Sequence, residues 1–223
     1  MTSLALLQLV SPALPVGAFS YSEGLEVLIQ AGSIADEQAV QAWLEAELQR
    51  GAVRLEAAAL RPLAEALVGW STQADDIAKA CLIDLDAWLL ATREAAELRA
   101  QQRQMGQSLL QLLADMGRSL PESVPLSWPA AWAAAALALE VSQEEMLEGY
   151  LYGWVANQLS AAVRLLPLGP TRAQVLQHRL QPLIQGEAEQ LLRCDLQSLW
   201  SGGVGAGMAQ LAHAELYSRL FRS

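Results

Sequence analysis

Helical periodicity runs through almost the whole of this 223-residue chain, and strand patterns are almost absent. Apolar side chains recur every three or four residues, which is the spacing of one face of an α-helix. Hydrophobic residues make up 53% of the chain, and most of them are Ala and Leu, which favour helices. Because a typical helix has ~11–12 residues, the sequence predicts an all-α protein, a single-domain compact bundle of about eight to ten helices.

Capping and breaking residues set the predicted helix boundaries. Ser33–Asp36 resembles a capping box that opens a helix, Ser142–Glu145 is a second one, and Thr171 is expected to cap a later helix. Pro62 and Pro182 predict interruptions, since proline in a helix interior costs about 3 kcal/mol. Further helical patterns cover 2–10, 22–30, 76–116 and 146–165, and loops are predicted at 69–76, 117–129 and, as a flexible Gly-rich linker, 201–207.

The formal net charge of −10 argues against several classes of partner. A nucleic-acid binder is expected to present a basic face, and an anionic membrane surface would repel this charge balance. No apolar run reaches the ~20 residues that a membrane span needs. Residues 1–150 carry a net charge of −12, whereas residues 151–223 carry +2, so the last third is the less repulsive surface for an acidic partner. We expect a cytoplasmic protein that binds neither nucleic acid nor membrane.

Few side chains of this chain are suited to binding a metal. Cys81 and Cys194 are its only cysteines, and both lie in apolar helical patterns that predict buried thiols in a reducing compartment. His178, expected at the surface, and His213 are its only histidines, and neither has a second ligand at metal-binding spacing. We expect no cofactor and no metal site within one chain, while a site shared between two copies stays open.

Residues 202–207 are Gly-rich and superficially resemble a phosphate-binding loop. A dinucleotide-binding loop needs a preceding strand, and a Walker loop needs a Gly-Lys-Ser/Thr ending, and the sequence has neither here. Acidic pairs such as Asp75 and Asp76 lie where first helical turns and polar helix faces favour them. No serine lies in a recognisable nucleophile elbow. The sequence therefore predicts a protein that is not an enzyme.

Two segments are hard to explain by packing alone. Residues 7–26 form a loop and helix start rich in proline, glycine, aromatic and hydroxyl side chains, and constrained loops often present a surface. Residues 217–223 combine two aromatic residues with two arginines, which is the composition of interface anchors. We expect residues 1–26 to face a partner and residues 208–223 to form an interaction tail.

Four motifs, in the same order along the chain, resemble the UreF family of urease accessory proteins. Leu7–Glu26 is similar to the family's LLQL…S-x-LP-x-G-x-[FY]-x-x-S-x-GLE pattern, and Tyr217–Phe221 is similar to its YSRLF-type tail. Between them, Thr92–Arg99 resembles the family's RE-x-x-ELR helix, and Ala161–Gly169 resembles its V-[KR]-L-[VI]-P-[LF]-G turn. The resemblance covers essentially the full chain, and the shared order makes it specific.

Some positions depart from the family pattern. Ala18 replaces the second glycine of a Pro-x-Gly-Gly loop, and His213 lacks its usual Arg and Glu neighbours. A Gly-rich stretch at 201–207 replaces an ordinary loop. These departures bear on how the tail makes its contacts and not on the family itself.

The resemblance implies a function without catalysis. Members of the family are all-helical and form dimers, join a second accessory protein called UreD or UreH, recruit the GTPase UreG and engage apo-urease. Nickel then reaches the urease active site as GTP is hydrolysed. The resemblance implies that this chain is a chaperone-like scaffold in that assembly and that the GTPase supplies the nucleotide and metal sites.

The resemblance also points to partner-binding residues. In the N-terminal segment these are Pro15, Gly17, Phe19, Tyr21, Ser22, Gly24 and Glu26, on a partner-facing or dimer-channel surface, and in the tail they are His213, Tyr217, Ser218, Arg219, Leu220 and Phe221, as an anchor on the second accessory protein. Arg93, Glu94 and Arg99 are candidates in the middle of the chain. Arg93 and Glu97 could instead form an i, i+4 pair that only stabilises a helix.

Three other functions stay open on the sequence alone. A generic helical adaptor could regulate a different GTPase with no dependence on nickel or urease. An all-α enzyme could use tyrosine, serine or His213 at a hidden cleft, and a carrier of a small apolar ligand would suit so apolar a chain. Trp154, on the very apolar helix predicted at 146–165, is expected to be a core residue.

Overall fold

This computed structural model describes residues 3–223. They form ten α-helices and three short 3-10 helices, which are joined by loops. The α-helices are α1 (Leu4–Leu9), α2 (Leu25–Gln30), α3 (Glu37–Arg50), α4 (Ala52–Gln73), α5 (Asp76–Ala91), α6 (Ala96–Asp115), α7 (Trp128–Ala138), α8 (Gln143–Leu165), α9 (Pro170–Leu192) and α10 (Val204–Ala212). The 3-10 helices are Ala18–Ser20, Leu196–Ser198 and His213–Glu215. The predicted all-α bundle is confirmed, and the predicted start of the first helix at Thr2 lies outside the described residues.

Helix α4 forms the centre of the bundle. It packs against α3, α5, α7, α8 and α9, and its side chains are buried from Val53 to Trp70 on most of its faces. Helix α6 approaches the start of α7 so closely that a Cβ atom at Gly106 would collide with the backbone of Leu126 and Ser127. Alanines fill most of α7, and their small side chains let it lie buried between its neighbours.

Both prolines that predicted helix interruptions lie inside continuous helices. Helix α4 runs through Pro62 and α9 runs through Pro182. The predicted breaks are therefore wrong. The lost backbone hydrogen bond is offset by tertiary packing, since Leu60 and Leu63 beside Pro62 are fully buried in the core.

Other boundaries differ from the prediction where tertiary contacts decide them. The pattern at 76–116 is divided into α5 and α6 by a short connection at 92–95. The predicted loop at 69–76 is helical as far as Gln73, and the Gly-rich stretch becomes α10 from Val204 onward, so its description as a linker is wrong beyond Gly203. Thr171 is not a cap, because α9 begins at Pro170, a first-turn position that suits proline.

The predicted capping box at Ser142 is confirmed, whereas the one at Ser33–Asp36 is wrong, because the cap of α3 is Asp36 and not Ser33. The Asp36 side chain accepts a hydrogen bond from the Ala39 amide at the start of α3. Ser142 and Glu145 form a complete capping box at the start of α8. A Glu145 oxygen also accepts a hydrogen bond from the Ser3 amide at 3.1 Å, which ties the N-terminal end of the described chain to the bundle.

The cysteines differ from their predicted positions. Cys81 is exposed and Cys194 is partly exposed, so the expectation of buried thiols is wrong. Helix α5 turns Leu82, Asp86 and Leu89 toward the core, and Cys81 lies outside that buried face. His178 is exposed as predicted. In residues 3–223, no helix combines the length and hydropathy of a membrane span.

Candidate functional site

The two segments that the sequence singled out lie against each other. We call residues 15–26 the N-terminal loop and residues 213–223 the tail. The Ser223 carbonyl oxygen accepts hydrogen bonds from the Ser22 amide (2.7 Å), the Glu23 amide (3.1 Å) and the Ser22 hydroxyl (2.7 Å). The Arg222 amide donates to the Ser20 carbonyl at 2.9 Å. Ser22 and Ser223 are fully buried, so this junction is part of the protein interior.

Glu26 receives several hydrogen bonds at this junction. It lies in the first turn of α2 and is 1% exposed. One carboxylate oxygen accepts from the Leu220 amide at 2.7 Å and from Gln30 at 3.2 Å, and the other accepts from the Phe221 amide at 3.1 Å. Glu26 therefore provides hydrogen-bond acceptors for two backbone amides of the tail, which has no regular secondary structure there.

Gly24 allows the chain to turn into α2 beneath α10. Its φ of +92° lies in the left-handed region, which costs little only for glycine. A Cβ atom at this position would also lie 3.1 Å from the Gln210 amide and 3.2 Å from the Ala209 Cβ. The glycine is needed for both the turn and the close approach of α10.

His213 is fully buried between two carboxylates from different helices. Its Nδ1 lies 2.8 Å from Glu97 on α6, and its Nε2 lies 3.4 Å from Glu26 on α2. Arg219 in the tail donates to the other oxygen of Glu97 at 2.8 Å. Glu97 is therefore bound to the tail, and the alternative in which it pairs with Arg93 along one helix is wrong.

Arg93 lies in a second buried polar cluster, which we call the core cluster: Glu56, Arg93, Gln102 and Tyr150. The Arg93 Nε donates to Glu56 at 2.9 Å, and Gln102 and Tyr150 donate to the same carboxylate at 3.1 and 2.8 Å. Burial raises the pKa of Glu56, and the Arg93 charge acts against that rise. Burial also raises the pKa of Tyr150 well above its usual value, so the phenol stays protonated and donates.

Glu23 and Gln101 link the core region to the tail. The Glu23 carboxylate accepts from Gln101 at 2.8 Å and from the Trp154 indole at 3.1 Å. The Ser223 hydroxyl donates to the Gln101 side-chain oxygen at 2.6 Å. Trp154 is half-buried and packs against Trp43 with ring centroids 5.8 Å apart, so it borders the core and is not at its centre.

A cavity of about 490 Å³ lies between the N-terminal loop and helices α6, α8 and α9. Aromatic and aliphatic side chains form much of its wall, and Glu56, Gln102 and Gln158 contribute polar atoms. The side-chain oxygens of Gln102 and Gln158 are buried and have no hydrogen-bond partner within the described part of the chain. The cavity can therefore receive a hydrogen-bond donor, and water is the simplest one.

The structure divides the predicted partner-binding residues by exposure. The exposed residues are Pro15, Phe19, Glu94, Tyr217, Ser218, Arg219 and Leu220. Gly17 and Arg99 are partly exposed. The buried residues are Tyr21, Ser22, Gly24, Glu26, Arg93, His213 and Phe221. Phe221 packs beneath Arg164, whose guanidinium carbon lies 4.4 Å from the ring centroid. The buried residues contact their own chain and position the exposed ones.

Helix α10 adds exposed apolar residues to the site residues that the sequence named. Val204, Met208 and Leu211 recur at helical spacing on one exposed side of it, and Tyr217 and Leu220 are exposed on the tail that follows. We call these five residues the outer face. Val204 lies outside the predicted interaction tail at 208–223, because the Gly-rich stretch predicted a linker, although the spacing of Val204, Met208 and Leu211 is itself a helical signal.

The chain is an all-α bundle in which a buried polar junction fastens the tail to the N-terminal loop, beside an exposed apolar face. It belongs to the UreF family, because the UreF family model matches residues 34–181. The predicted family resemblance is confirmed.

Curated relatives match nearly the whole chain, including both segments that lie outside the family model. The urease accessory protein UreF of Thermosynechococcus vestitus is 41% identical over 99% of this chain and 97% of its own length. The urease accessory proteins UreF of Nostoc sp. (strain PCC 7120) and Microcystis aeruginosa are 40% and 41% identical, again over 99% of this chain and over 95% and 97% of their own lengths.

Proposed function

We propose that this chain is a non-catalytic accessory protein of urease maturation, a cytoplasmic scaffold needed for nickel incorporation into apo-urease. Its family and the names of its relatives support the link to urease. In this proposal the chain forms a homodimer, holds the second accessory protein UreD or UreH, and recruits the GTPase UreG and apo-urease.

The outer face is the observation that best supports a scaffold role. Five large apolar side chains are exposed on α10 and the tail of an acidic chain, and exposed apolar patches mark interaction sites. Tyr217 extends fully into solvent, and aromatic residues are frequent among the side chains that dominate binding energy. We assign this face to the second accessory protein.

The buried residues of the site have a supporting role in this proposal. Glu26, His213 and Ser22 hold the tail in one conformation, so that Tyr217 and Leu220 reach the partner at little further entropic cost. Phe19 and Pro15 lie exposed on the N-terminal loop and extend the same contact region. Arg93 acts through the stability of the core cluster and not by touching a partner.

The proposal is tested in matched cells that express urease and its accessory proteins. Without this chain, urease subunits are expected to accumulate with little nickel and little activity. The double variant Tyr217→Ala and Leu220→Ala should lose most copurification of the second accessory protein and most of the nickel in urease. The matched control is Ile77→Ala with Ile83→Ala, two exposed apolar residues on α5, which should leave both unchanged.

Two results would contradict the proposal in different ways. Full nickel loading of urease in cells that lack the chain would remove the urease role and favour an adaptor for a different GTPase. Full partner binding by the tail variant, with nickel loading still dependent on the chain, would remove only the outer face as the docking site.

A further inference from the structure

The cavity beside the core cluster has the size of a small-molecule site. Its volume of about 490 Å³ lies within the range of roughly 300–1,000 Å³ that is typical of ligand pockets, whereas one water occupies about 30 Å³ of the liquid. Its lining includes the exposed residues Pro12, Phe19 and Gln174 as well as the buried residues Glu56 and Trp132. The cavity therefore extends from the surface toward the core cluster.

The polar atoms of the cavity wall can accept further hydrogen bonds. The Gln102 amide nitrogen donates to Glu56, which identifies the other amide atom as the oxygen, and that oxygen is buried without a partner among residues 3–223. Each carboxylate oxygen of Glu23 accepts one hydrogen bond, from Gln101 or from Trp154, and such an oxygen can accept two. Because a buried acceptor without a donor is costly, an occupant that carries N–H groups suits this wall.

The charge of the wall favours a cation. Glu56 and Glu23 both line the cavity as buried carboxylates, and Arg93 forms an ion pair with Glu56 and not with Glu23. Within the described part of the chain, the Glu23 carboxylate receives hydrogen bonds from neutral side chains only. One of the two buried charges is therefore unbalanced, which is costly without a cation. Arg164 does not supply it, since it lies exposed at the rim and donates to the Phe19 carbonyl.

Aromatic rings complete the site. Trp128, Tyr150 and Trp154 line the cavity, and the face of an aromatic ring attracts a cation within about 6 Å of its centre. We propose that the cavity binds a small organic cation, an amidinium, guanidinium or ammonium compound, whose N–H groups donate to Glu23 and Gln102 while its apolar part packs on the aromatic wall. None of the five residues of the outer face lines this cavity, so the inference holds whichever partner binds that face.

Benzamidinium is the probe for this site, because it joins an aromatic ring to a planar cation with N–H donors. Benzamide has nearly the same shape without the charge and is the matched ligand control. Titration calorimetry on the full chain should show one saturable site for benzamidinium with a Kd of about 1 mM or lower, and benzamide should bind at least about tenfold more weakly. In NMR spectra, the indole N–H signal of Trp154 should shift on binding, whereas that of Trp200, which is exposed and does not line the cavity, should not.

Two variants test where the probe binds. Gly153 of α8 lines the cavity, and an added Cβ there would meet nothing within 4 Å, so Gly153→Leu is expected to occupy the cavity and preserve the helix. Gly186→Leu is its control, because Gly186 of α9 has the same free space but does not line the cavity. Glu23→Gln keeps the shape of the side chain and removes its charge. Its control is Glu187→Gln, which changes a buried carboxylate outside the cavity.

Gly153→Leu should abolish benzamidinium binding, and Glu23→Gln should weaken it at least about tenfold, while both controls bind the probe as the parent does. The absence of saturable binding, equal affinity for benzamide, or unchanged binding by Gly153→Leu would each overturn the proposal. If Glu23→Gln does not fold, the comparison of Gly153→Leu with Gly186→Leu decides the result.

Discussion

The core cluster and the tail junction both bury a carboxylate, and they satisfy it in different ways. In the core cluster, the buried carboxylate of Glu56 is paired with Arg93, which stays charged at any ordinary pH. At the tail junction, the buried carboxylate of Glu26 accepts hydrogen bonds from the Leu220 and Phe221 amides and lies 3.4 Å from the His213 Nε2. The first carboxylate joins the 92–95 connection to the central helix α4, and the second fastens an irregular tail to a short helix. A charge pair is placed where helices meet, and backbone hydrogen bonds are used where a segment without regular structure is attached.

The difference predicts which region can open without unfolding the rest. The core cluster is enclosed by α4, α6 and α8, so opening it means separating the bundle. The tail makes its polar contacts to the N-terminal loop, Gln30 of α2, and α6. Segments with fewer packed contacts open locally at lower free energy. We expect the tail to exchange amide hydrogens long before α4 does.

The largest effect is expected from Arg93→Ala. This change leaves Glu56 buried without its cation, and removing one partner of a buried pair costs about 3–5 kcal/mol. The free energy of unfolding should be measured in urea. Arg172→Ala is the control, because Arg172 pairs with Glu37 at the surface and such pairs contribute about 1 kcal/mol or less. Equal losses in the two variants would mean that Arg93 is not the cation on which Glu56 depends.

An intermediate effect is expected from Glu47, a buried carboxyl close to the core cluster. Burial raises its pKa to about 7, with the Arg93 charge acting in the opposite direction. Because the folded protein holds this proton more tightly than the unfolded chain, stability should fall as the pH rises from about 4.5 to about 7.

Glu47→Gln should remove that fall and stabilise the protein by about 1–3 kcal/mol at pH 8, since one pKa unit corresponds to about 1.4 kcal/mol. Thermal or urea unfolding across the pH range measures it. A stability profile that is unchanged by the substitution would show that Glu47 does not carry the effect.

The smallest effect is expected from Gly24→Ala in the N-terminal loop. The left-handed backbone costs an L-residue about 1 kcal/mol, and contact with α10 adds to it. Gly117→Ala is the matched control, because Gly117 has φ +75° but nothing within 4 Å of an added Cβ. The free energy of unfolding should be measured for both variants, together with the hydrogen-exchange protection of the Leu220 and Phe221 amides, which we call tail protection. A larger loss of tail protection in Gly24→Ala than in Gly117→Ala would show that Gly24 contributes to the junction through its contact with α10. Equal losses in the two variants would exclude a packing role for Gly24.

Local signals in the sequence were enough to predict the helical class and the Ser142 capping box, and they placed the start of α3 within three residues of its Asp36 cap. Each of these depends on residues within one helical turn. The helices through Pro62 and Pro182 could not be predicted, because burial by distant helices outweighs the local cost of proline. The break before α6 was missed for a related reason, since Arg93 turns inward to Glu56, which is 37 positions earlier in the chain.

The candidate site was predicted in part. The motifs singled out the N-terminal loop and the tail, but no local pattern indicates that residues about 200 positions apart bind each other. Glu23, Gln101 and Glu97 were missed as site residues, and Val204 of the outer face was hidden by the expectation of a Gly-rich linker. A polar side chain in an otherwise apolar stretch of a helix is the signal that could have pointed to Glu56.

The hydrogen bond between Trp154 and Glu23 gives the tail an optical signature. The indole of Trp154 donates to the carboxylate of the residue whose amide holds Ser223. Indole emission depends on nearby charge and on hydrogen bonding of its ring nitrogen. Detachment of the tail frees the Glu23 backbone and changes the environment of that ring. The difference in fluorescence between the parent protein and Trp154→Phe would then follow tail detachment in real time, with no added dye.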